Sequence, residues 1–433
     1  MDQINNKIYS KKIKVLWFTN TPSLYNRGNN EYNGGGWIES LERLVRDNIE
    51  IDLAISFFYP QEKNKSRKNN STYYPIYRNT NNKNIVKKLF NNWNLISYNK
   101  KSFQKKILSV LNDFKPDVIQ VFGTEGPFSI VQELTRIPVM IHLQGIINPY
   151  LDAFYPPNIS FWDIIFSKDF LLQNITGSSP IFAYNLFKKQ TNKEKVFLSL
   201  AKFISGRTHW DKMITKVMNP KAQYFHINEV LRPVFYEKNI SLKKKKKSVV
   251  YRITSVLSPQ LLKGIDLVFS SAKRFLDFYD IDFVWQIIGI KSDSKYVKFY
   301  EKINGINHKE IKISFLGVLN ENELVNILVN SDVFVHPSYI DNSPNSLCEA
   351  QIIGIPTIAC NVGGVSSLIN HSKTGFLIPS NGVFELCYYL SSLHENKDLS
   401  EDISMQAKKV ALERHNKEKI ITKLINKYKK IIN

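Results

Sequence analysis

Two carboxylates and a run of backbone amides between residues 331 and 379 form the part of the sequence best suited to chemistry. Asp341 and Glu349 flank a predicted helix start, where the amides of Asn345, Ser346 and Leu347 would be unpaired. Unpaired amides and the partial positive charge of a helix N-terminus attract an anion such as a pyrophosphate. Carboxylates repel phosphate but accept hydrogen bonds from vicinal hydroxyls. The pattern therefore predicts a ligand in which sugars flank phosphates, as in a nucleotide sugar.

A strand, a loop and a short helix must position these groups. The run from Val333 to His336 is apolar and is closed by a proline, which is typical of a buried strand. Ser343 is predicted as the helix N-cap, with Pro344 at the first helical position, where its missing N–H costs nothing. The helix is predicted from Asn345 to Ile353, and a second strand follows from Pro356 to Cys360. The helix N-terminus therefore opens toward the end of a strand.

This segment resembles the retaining glycosyltransferases of family 4, which have the two-domain GT-B fold and a signature of one glutamate, seven residues and a second glutamate. Asp341 takes the first position and Glu349 the second. The resemblance implies that Glu349 binds the nucleotide ribose and that Asp341 lies beside the hydroxyls of the donor sugar. NVGGV at 361–365 and KTGFLIP at 373–379 continue the family pattern. The alternative is a capped helix in a Rossmann-like domain with exposed acidic groups.

A glycine-rich loop follows the first predicted strand, which runs from Ile13 to Phe18. The loop ends in Gly34, Gly35 and Gly36, just before a predicted helix. Glycines at a strand-to-helix turn let a ligand approach the backbone closely, although this triplet is not the GxGxxG motif. By resemblance to family 4, Gly35 and Gly36 would lie in the cleft near the donor phosphate and the acceptor.

Side chains that follow predicted strands of the first half are further candidates, because doubly wound sheets bind ligands at the carboxyl ends of their strands. His142 ends one apolar run, Arg207 follows another, and Glu125 occupies a similar position. By resemblance, His142 would hydrogen-bond the donor sugar, and Arg207 would approach the active site from a helix start. The alternatives are an ordinary strand-end histidine and an arginine engaged in surface pairing.

Lys263 is the predicted cation for the leaving phosphate. After the first strand of its second domain, the family usually shows an arginine, then Ser-Pro, then Lys-Gly; Lys263 and Gly264 match, whereas Val256 stands where the arginine is expected. The resemblance then implies that Lys263 neutralises the phosphate together with the helix N-terminus, or that an arginine from elsewhere substitutes. Gly317, which follows another predicted strand, is expected to line the same nucleotide site.

Length and the alternation of strand-like and helix-like segments predict an α/β protein with doubly wound parallel sheets. A chain of 433 residues exceeds one typical core. By resemblance, two Rossmann-like domains would face a cleft in a GT-B fold: an acceptor-side domain over 1–235 and a nucleotide-sugar domain over 248–414. A lysine-rich linker over 236–247 would join them, and a helix over 415–433 would pack back on the first domain. The polar range 61–99 is predicted to carry a mobile surface loop.

The chain carries a formal charge of +21, from 59 Lys and Arg against 38 Asp and Glu. This excess favours an anionic partner, and an anionic membrane surface is one candidate. The alternative is a solvated surface that reflects the high Lys, Asn and Ile content. No zinc-finger spacing or aromatic RNA-binding signature supports nucleic acid as a partner. The five lysines at 243–247 suit either a solvated linker or lipid head groups.

The sequence lacks the marks of a membrane-spanning or disulfide-stabilised protein. It has no signal-peptide-like apolar region and no window of about 18 apolar residues, so we expect a cytoplasmic protein, with peripheral contact at the inner face of the membrane as a second expectation. Cys348, Cys360 and Cys387 form neither an even set nor a CxxC pair, and no histidine cluster accompanies them. Burial is the expected role of Cys348, rather than nucleophilic attack.

These features favour a retaining glycosyltransferase of hexosyltransferase type, which moves a sugar from a nucleoside diphosphate donor to a hydroxyl of a glycan or lipid-linked oligosaccharide in cell-surface polysaccharide synthesis. No metal or other cofactor is expected, because Lys263 and the helix N-terminus can neutralise the diphosphate and no Asp-x-Asp motif lies in a suitable loop. One alternative is an epimerase or phosphorylase with the same pair of domains. The other is a catalytically inactive protein that binds membrane or polymer through its basic surface, with Val256 as its best support.

Overall fold

The computed structural model describes residues 12–25, 36–78, 100–237 and 250–433. Gly34, Gly35 and the five lysines at 243–247 therefore lie outside the described residues, as does most of the predicted linker. Two α/β domains, each built on its own mainly parallel sheet, account for the described chain. The predicted fold class is thus confirmed.

Among the described residues, the first sheet has eight strands in the order β3-β4-β2-β1-β5-β6-β7-β8. Neighbouring strands are parallel except for β3 and β4. The central strands are continuous apolar runs because helices cover both faces of such a sheet. The strands are β1 Ile13–Thr19, β2 Ile51–Tyr59, β3 Ser66–Lys68, β4 Ser71–Tyr77, β5 Val118–Phe122, β6 Val139–His142, β7 Phe203–Gly206 and β8 Gln223–His226.

The helices of this half of the chain connect its parallel strands. A 3-10 turn over Pro127–Glu133 accompanies them. The helices are α1 Gly36–Arg46, α2 Lys100–Phe114, α3 Ile147–Asp152, α4 Phe161–Ile165, α5 Leu171–Thr176, α6 Pro180–Leu200, α7 His209–Met218 and α8 Val234–Glu237.

The second sheet has the order β11-β10-β9-β12-β13-β14 and is parallel throughout. Its connections reverse direction between β9 and β12, and ligands bind at such switch points in doubly wound sheets. The strands are β9 Tyr251–Val256, β10 Phe283–Ile288, β11 Ile313–Gly317, β12 Val333–His336, β13 Thr357–Cys360 and β14 Phe376–Ile378. The helices are α9 Ile265–Phe278, α10 Lys295–Asn304, α11 Glu321–Val329, α12 Asn345–Ile353, α13 Val383–Glu395, α14 Lys397–Arg414 and α15 Lys417–Ile432, with 3-10 turns at Leu261–Lys263 and Val365–Ser367. None of the helices in the described ranges is both long and apolar enough to cross a bilayer.

The region 61–99, which was predicted to carry a surface loop, also contains two strands that the sequence analysis did not predict. Residues 66–68 and 71–77 form β3 and β4, and β4 extends the first sheet beside β2. Tyr73 and Ile76 are buried there, and the Tyr73 hydroxyl donates a hydrogen bond to Glu42. The polar composition and Pro75 concealed the strand, because proline usually marks an edge or the end of a strand. Residues 79–99 lie outside the described ranges.

The last helix, α15, packs on the first domain although it follows the second domain in the chain. Leu424 and Tyr428 are fully buried in a core shared with β1 and β5. Nε1 of Trp17 donates to the Tyr428 hydroxyl at 3.0 Å, and that hydroxyl donates to Gln120. The chain therefore passes between the domains twice, once between β8 and β9 and again between α14 and α15.

Candidate active site

Lys263 and Asp341 meet where the carboxyl ends of β9 and β12 lie side by side. Nζ of Lys263 lies 2.7 Å from Oδ2 of Asp341, and the two side chains are 19% and 14% exposed. The two residues are 78 positions apart in the sequence. Pairing of β9 with β12 brings their loops to one crevice, at the switch point of the sheet.

A tight loop holds the backbone of Lys263 against the loop that carries Asp341. Leu261 and Leu262 of the 3-10 turn are buried, and Gly264 follows with a φ of +76°. A Cβ at Gly264 would lie 2.0 Å from the carbonyl oxygen of Pro337. Only glycine permits both this conformation and this approach, so Gly264 is required for the loop geometry.

Asp341 is an oriented anion. The hydroxyl of Tyr150, from α3, donates to Oδ1 at 3.3 Å, and the amide of Asn342 donates to the same oxygen at 3.0 Å. Nε2 of His336 lies 3.5 Å from Oδ2. Burial favours a raised pKa for Asp341, but the charge of Lys263 and the contact with His336 outweigh it and hold that pKa well below its usual range.

The cap of α12 differs from the prediction. Pro344 is the N-cap and the helix begins at Asn345, so the predicted role of Ser343 as N-cap is wrong. The Ser343 hydroxyl instead donates to Oε1 of Glu229 at 2.6 Å, in the segment that joins the domains. A partner that distant in sequence outweighed the local capping preference.

Fewer backbone amides at the start of α12 are available to an anion than the sequence predicted. The amide of Leu347 donates to the carbonyl oxygen of Pro344 at 3.1 Å, so it is engaged within the first turn. The amides available to an anion are therefore those of Asn345 and Ser346. Oδ1 of Asn345 is also buried without a hydrogen-bond partner, so an unpaired acceptor lies beside these two donors.

Glu349 is bound by an arginine that the sequence pattern did not single out. Nε of Arg232 donates to Oε1 and its Nη2 donates to Oε2, both at 2.8 Å. Burial raises the pKa of Glu349, and the Arg232 guanidinium opposes that rise. A carboxylate offers about four acceptor positions, so this pair leaves capacity for ligand hydroxyls. The contact between Glu349 and the nucleotide ribose stays a prediction. Arg232 would orient the carboxylate for it.

Arg232 also reaches the start of α1. A Cβ at Gly36 would lie 2.9 Å from Cδ of Arg232, so a larger residue at Gly36 would displace the arginine. The start of α1, the interdomain segment and α12 therefore converge on this one guanidinium. Gly35 lies outside the described residues, and its predicted role stays a prediction.

His142 is a buried histidine at the end of β6 with one unpaired ring nitrogen. Nδ1 hydrogen-bonds the Ser205 hydroxyl at 2.9 Å, and the ring lies 5.3 Å from that of Trp37 and 5.6 Å from that of Phe122. Nε2 is buried without a hydrogen-bond partner. Burial, and then the charge of Arg207, lower the pKa of His142 to about 3. The imidazole is therefore neutral near pH 7, with Nε2 unengaged.

Arg207 is buried, so the alternative of surface pairing is wrong. Its Nη2 donates to the carbonyl oxygen of Gln144 at 2.9 Å, and its Nε lies 3.8 Å from Oε2 of Glu229. The Gln144 carbonyl also accepts from Nδ2 of Asn342 at 3.1 Å. Gln144 thus links Arg207 to the residue that follows Asp341.

Several contacts across the domain interface were missed in the sequence. The Thr208 hydroxyl donates to Oδ1 of Asn342 at 2.6 Å, and Nδ2 of Asn342 donates to Asp211 at 3.0 Å. Thr208 follows Arg207 and Asn342 follows Asp341. Their position next to a predicted site residue was therefore the one signal in the sequence that could have identified Thr208 and Asn342. The hydrogen bond between them depends on how the two domains face each other.

Glu125 adds a carboxyl group on the first-domain side of the crevice. Its Oε1 accepts from the amide of Gly145 at 3.0 Å, and its Oε2 is buried without a hydrogen-bond partner. A Cβ at Gly145 would lie 3.3 Å from Oε1 of Glu125 and 3.6 Å from the Tyr150 hydroxyl. Glu125 is therefore close to the Tyr150–Asp341 contact. Burial raises the pKa of Glu125 to about 7, against the effect of backbone hydrogen bonds.

Gly317 lies apart from these groups. It ends the edge strand β11, which β10 separates from β9. Its backbone hydrogen bonds connect it to Gly289 and Ile290. Its predicted contact with the nucleotide therefore concerns a different part of the ligand from the one near Lys263, and stays a prediction.

Three buried side chains near the two crossings between the domains have the chemistry of metal ligands: Glu229 from the first crossing, His415 from the second and Cys348 from α12. Atoms of Glu229, Cys348 and His415 lie within 4.8 Å of one another. Burial favours a raised pKa for Glu229, but Arg207 and His415 outweigh it and hold that pKa at about 2. Burial raises the pKa of the Cys348 thiol, which donates to Glu229 at 3.5 Å. An arginine beside the carboxylate favours a hydrogen-bonded cluster over a cation site, and Cys348 is buried as expected.

The second domain is similar in sequence to known proteins. Residues 236–410 match the family model of the glycosyl transferases group 1. The chain is 30% identical over 161 residues to the Escherichia coli UDP-Gal:alpha-D-GlcNAc-diphosphoundecaprenol alpha-1,3-galactosyltransferase, covering 36% of this chain and 39% of that protein. It is 26% identical over 156 residues to the D-inositol 3-phosphate glycosyltransferase of Arthrobacter sp. strain FB24, 36% of each chain. The matched part thus spans about two fifths of these relatives.

Solved structures resemble the whole chain in fold. Sucrose-phosphate synthase from Thermosynechococcus elongatus superposes with a TM-score of 0.69 at 12% identity, over 97% of this chain and 99% of that one. HepE from Anabaena in complex with UDP and glucose superposes with a TM-score of 0.64 at 14% identity, over 96% of this chain and 100% of that one. At this level of identity the likeness establishes the fold, which is the GT-B arrangement of two Rossmann-like domains.

Proposed function

We propose that this chain, whose residues 236–410 match the family model of the glycosyl transferases group 1, is a retaining glycosyltransferase of the GT-B fold. It moves a hexosyl group from a nucleoside diphosphate sugar to a hydroxyl of a glycan or lipid-linked acceptor. The observation that carries the proposal is the crevice where Lys263, Asp341 and the start of α12 converge. A cation, free amides and an oriented carboxylate are the groups that a sugar diphosphate requires.

Lys263 stabilises the leaving phosphate in this proposal. Breaking the bond at the anomeric carbon places negative charge on the phosphate oxygen, and fixed positive groups in a closed site lower the energy of that charge most effectively. An ammonium group has three donors, so Lys263 can bind a phosphate oxygen while it keeps its contact with Asp341. The amides of Asn345 and Ser346 add to this stabilisation.

Unpaired buried polar atoms supply the contacts to the two sugars. Buried polar atoms are rarely left without a partner, so Nε2 of His142 and Oε2 of Glu125 are suited to ligand hydroxyls. We assign His142 and Asp341 to the donor sugar, Glu349 to the ribose and Glu125 to the acceptor hydroxyl. Arg207 positions the loop that carries Asp341, because the Gln144 carbonyl accepts hydrogen bonds from both Arg207 and Asn342.

Retention of configuration follows when the acceptor attacks on the face from which the phosphate leaves. The acceptor proton then passes to the departing phosphate, and no protein nucleophile is required. Asp341 is poorly suited to act as one, because Lys263 holds its Oδ2 while Tyr150 and the Asn342 amide hold its Oδ1. Lys263 and the α12 amides also take the place of a divalent metal in the proposed reaction.

A lipid-linked acceptor in cell-surface polysaccharide synthesis is the acceptor class we propose. The name of the Escherichia coli relative describes transfer to a sugar carried on diphosphoundecaprenol. The charge of +21 suits the inner face of an anionic membrane, where such acceptors would be reached from the cytoplasm.

A thermal-shift panel tests the donor. UDP-, GDP-, ADP- and TDP-sugars are added to the purified protein with and without Mg²⁺. We expect one nucleotide to raise the melting temperature selectively and to the same extent without the metal. An unchanged melting temperature with every nucleotide sugar, in a sample shown to be folded, would contradict the proposal.

A second candidate is a catalytically inactive protein of the same fold that binds membrane or polymer. Val256, at the position of the expected arginine, favours it. Arg232, which lies against Gly36 and Glu349, offers a substitute cation and favours activity. Nucleotide binding without release of nucleoside diphosphate in the presence of acceptor would support the inactive protein.

A further inference from the structure

We propose that α4 and α5 form a surface that inserts into the interface of an anionic lipid membrane. In the described part of the chain, Trp162 is 60% exposed, Phe166 77% and Ile175 63%. We call the set the α4–α5 apolar surface; its members are Phe161, Trp162, Phe166, Leu171, Leu172 and Ile175. The six residues lie within 15 positions of one another in the sequence, and large exposed apolar patches on soluble monomers usually mark an interaction site.

The apolar residues face outward because the opposite side of the same segment is firmly packed. Ile159, Ile164 and Phe170 are buried in the core of the second domain. The ring of Phe170 lies 5.0 Å from that of Phe299 and 5.3 Å from that of Tyr296 in α10. The segment is therefore anchored, and the exposure of its other side chains is not a consequence of fraying.

The exposed rings form a continuous surface with local order. Phe161 and Trp162 lie 5.4 Å apart, and Trp162 stacks on Phe166 at 5.9 Å. A reciprocal capping box between Ser160 and Asp163 fixes the start of α4. Tryptophan, phenylalanine and leucine on a short amphipathic element are the residues that bind the boundary between head groups and acyl chains.

The charge of the chain favours an anionic lipid surface over a second copy of this chain as the binding partner of the α4–α5 apolar surface. Lys168, between α4 and α5, is exposed, and Lys302 of α10 pairs with Asp169 at 3.3 Å. The carboxylate of Asp163 in α4 is hydrogen-bonded by Ser160. With a net charge of +21, two copies repel each other, whereas anionic head groups attract the chain. The inference depends on this surface and not on the transfer reaction. It would bring the crevice toward the membrane, because eight residues, 153–160, separate α4 from α3, which carries Tyr150.

Vesicle co-sedimentation tests the proposal. The wild-type chain is mixed with phosphatidylcholine vesicles with and without phosphatidylglycerol, and the bound fraction is measured. The variant Trp162→Ser/Phe166→Ser/Leu172→Ser removes apolar groups that are exposed, so it should fold. The matched control is Ile49→Ser/Val217→Ser/Phe278→Ser, which removes three apolar groups elsewhere that are 73–82% exposed.

We expect wild type and control to bind vesicles that contain phosphatidylglycerol, and the α4–α5 variant to bind at least about tenfold more weakly. Acyl chains labelled with bromine should quench tryptophan fluorescence in wild type, and less in Trp162→Phe. Equal binding of both variants, or no binding by wild type, would overturn the proposal. So would a dimer by light scattering that becomes a monomer in the α4–α5 variant. Nucleotide binding by the variant should be unchanged, which separates this test from that of the proposed transferase.

Discussion

Arg232, from the segment that joins the domains, holds both carboxylate oxygens of Glu349 at 2.8 Å. Both side chains are almost fully buried, at 5% and 4% exposure. The carboxylate that the sequence pattern marks as a ligand group is thus oriented by an arginine 117 positions away. A buried charge left without its partner is costly, so the pair makes this side of the site sensitive to change in either residue.

Arg232→Met should lower the free energy of unfolding by about 3–5 kcal/mol, because it leaves the Glu349 carboxylate buried and unpaired. The double variant Arg232→Met/Glu349→Gln should recover a large part of that loss, since no unpaired charge remains. Urea unfolding of wild type, both single variants and the double variant forms the cycle that measures this coupling. Additive losses would show that the two residues do not depend on each other.

Lys263→Gln should lower kcat at least about 100-fold, the scale observed when one charge-stabilising donor is removed from an active site. The matched control is Lys273→Gln in α9, where an exposed lysine pairs with Asp277. Circular dichroism and the melting temperature check that both variants fold. A kcat within about threefold of wild type would show that Lys263 does not stabilise the leaving phosphate.

Glu125→Gln should change how stability depends on pH. The pKa of Glu125 is raised to about 7, so the folded protein keeps a proton that the unfolded chain loses near pH 4.5. This group therefore contributes stability below pH 4.5, and the contribution is lost as the pH rises toward 7, by up to about 3 kcal/mol.

The difference in unfolding free energy between wild type and Glu125→Gln should accordingly fall across that window. Glu62→Gln, at an exposed position, serves as the control for loss of a carboxyl group. A pH-independent difference between wild type and Glu125→Gln would mean that the pKa of Glu125 is not raised.

Leu424→Ala should destabilise the first domain by about 2–5 kcal/mol, because Leu424 is fully buried between α15 and the first sheet. Thr422→Ala, at an exposed position of the same helix, should shift the free energy of unfolding by less than about 0.5 kcal/mol. Fluorescence-monitored urea unfolding compares them. Equal stability of the two variants would mean that α15 contributes little to the first domain.

Local pattern was sufficient for the segment that carries the predicted carboxylates. The structure confirms the strand Val333–His336 and the helix Asn345–Ile353, since a buried apolar run and proline and glycine boundaries define both. Gly354 ends the helix with a φ of +91°, the conformation that glycine adopts most readily. The alternation of strands and helices likewise predicted the two parallel sheets.

Contacts between distant parts of the chain could not be predicted from local sequence pattern. The adjacency of β9 and β12, which brings Lys263 to Asp341, depends on strand order, and apolar periodicity does not specify strand order. Ser343 donates to Glu229 instead of capping α12, because the interdomain segment offers a charged acceptor. Arg232 was not singled out because its role appears only when that segment lies against α12.

The transfer reaction itself, with analysis of its product, tests whether this chain is a retaining glycosyltransferase. The protein is incubated without metal with the UDP-, GDP-, ADP- or TDP-sugar that stabilises it and with a short-chain lipid diphosphate that carries N-acetylglucosamine. Free nucleoside diphosphate and the anomeric configuration of the product are measured, the latter by proton NMR. We expect acceptor-dependent release of nucleoside diphosphate, a product that retains the donor configuration, and loss of both signals in Lys263→Gln. Release without acceptor dependence, an inverted product or full activity in Lys263→Gln would contradict the account.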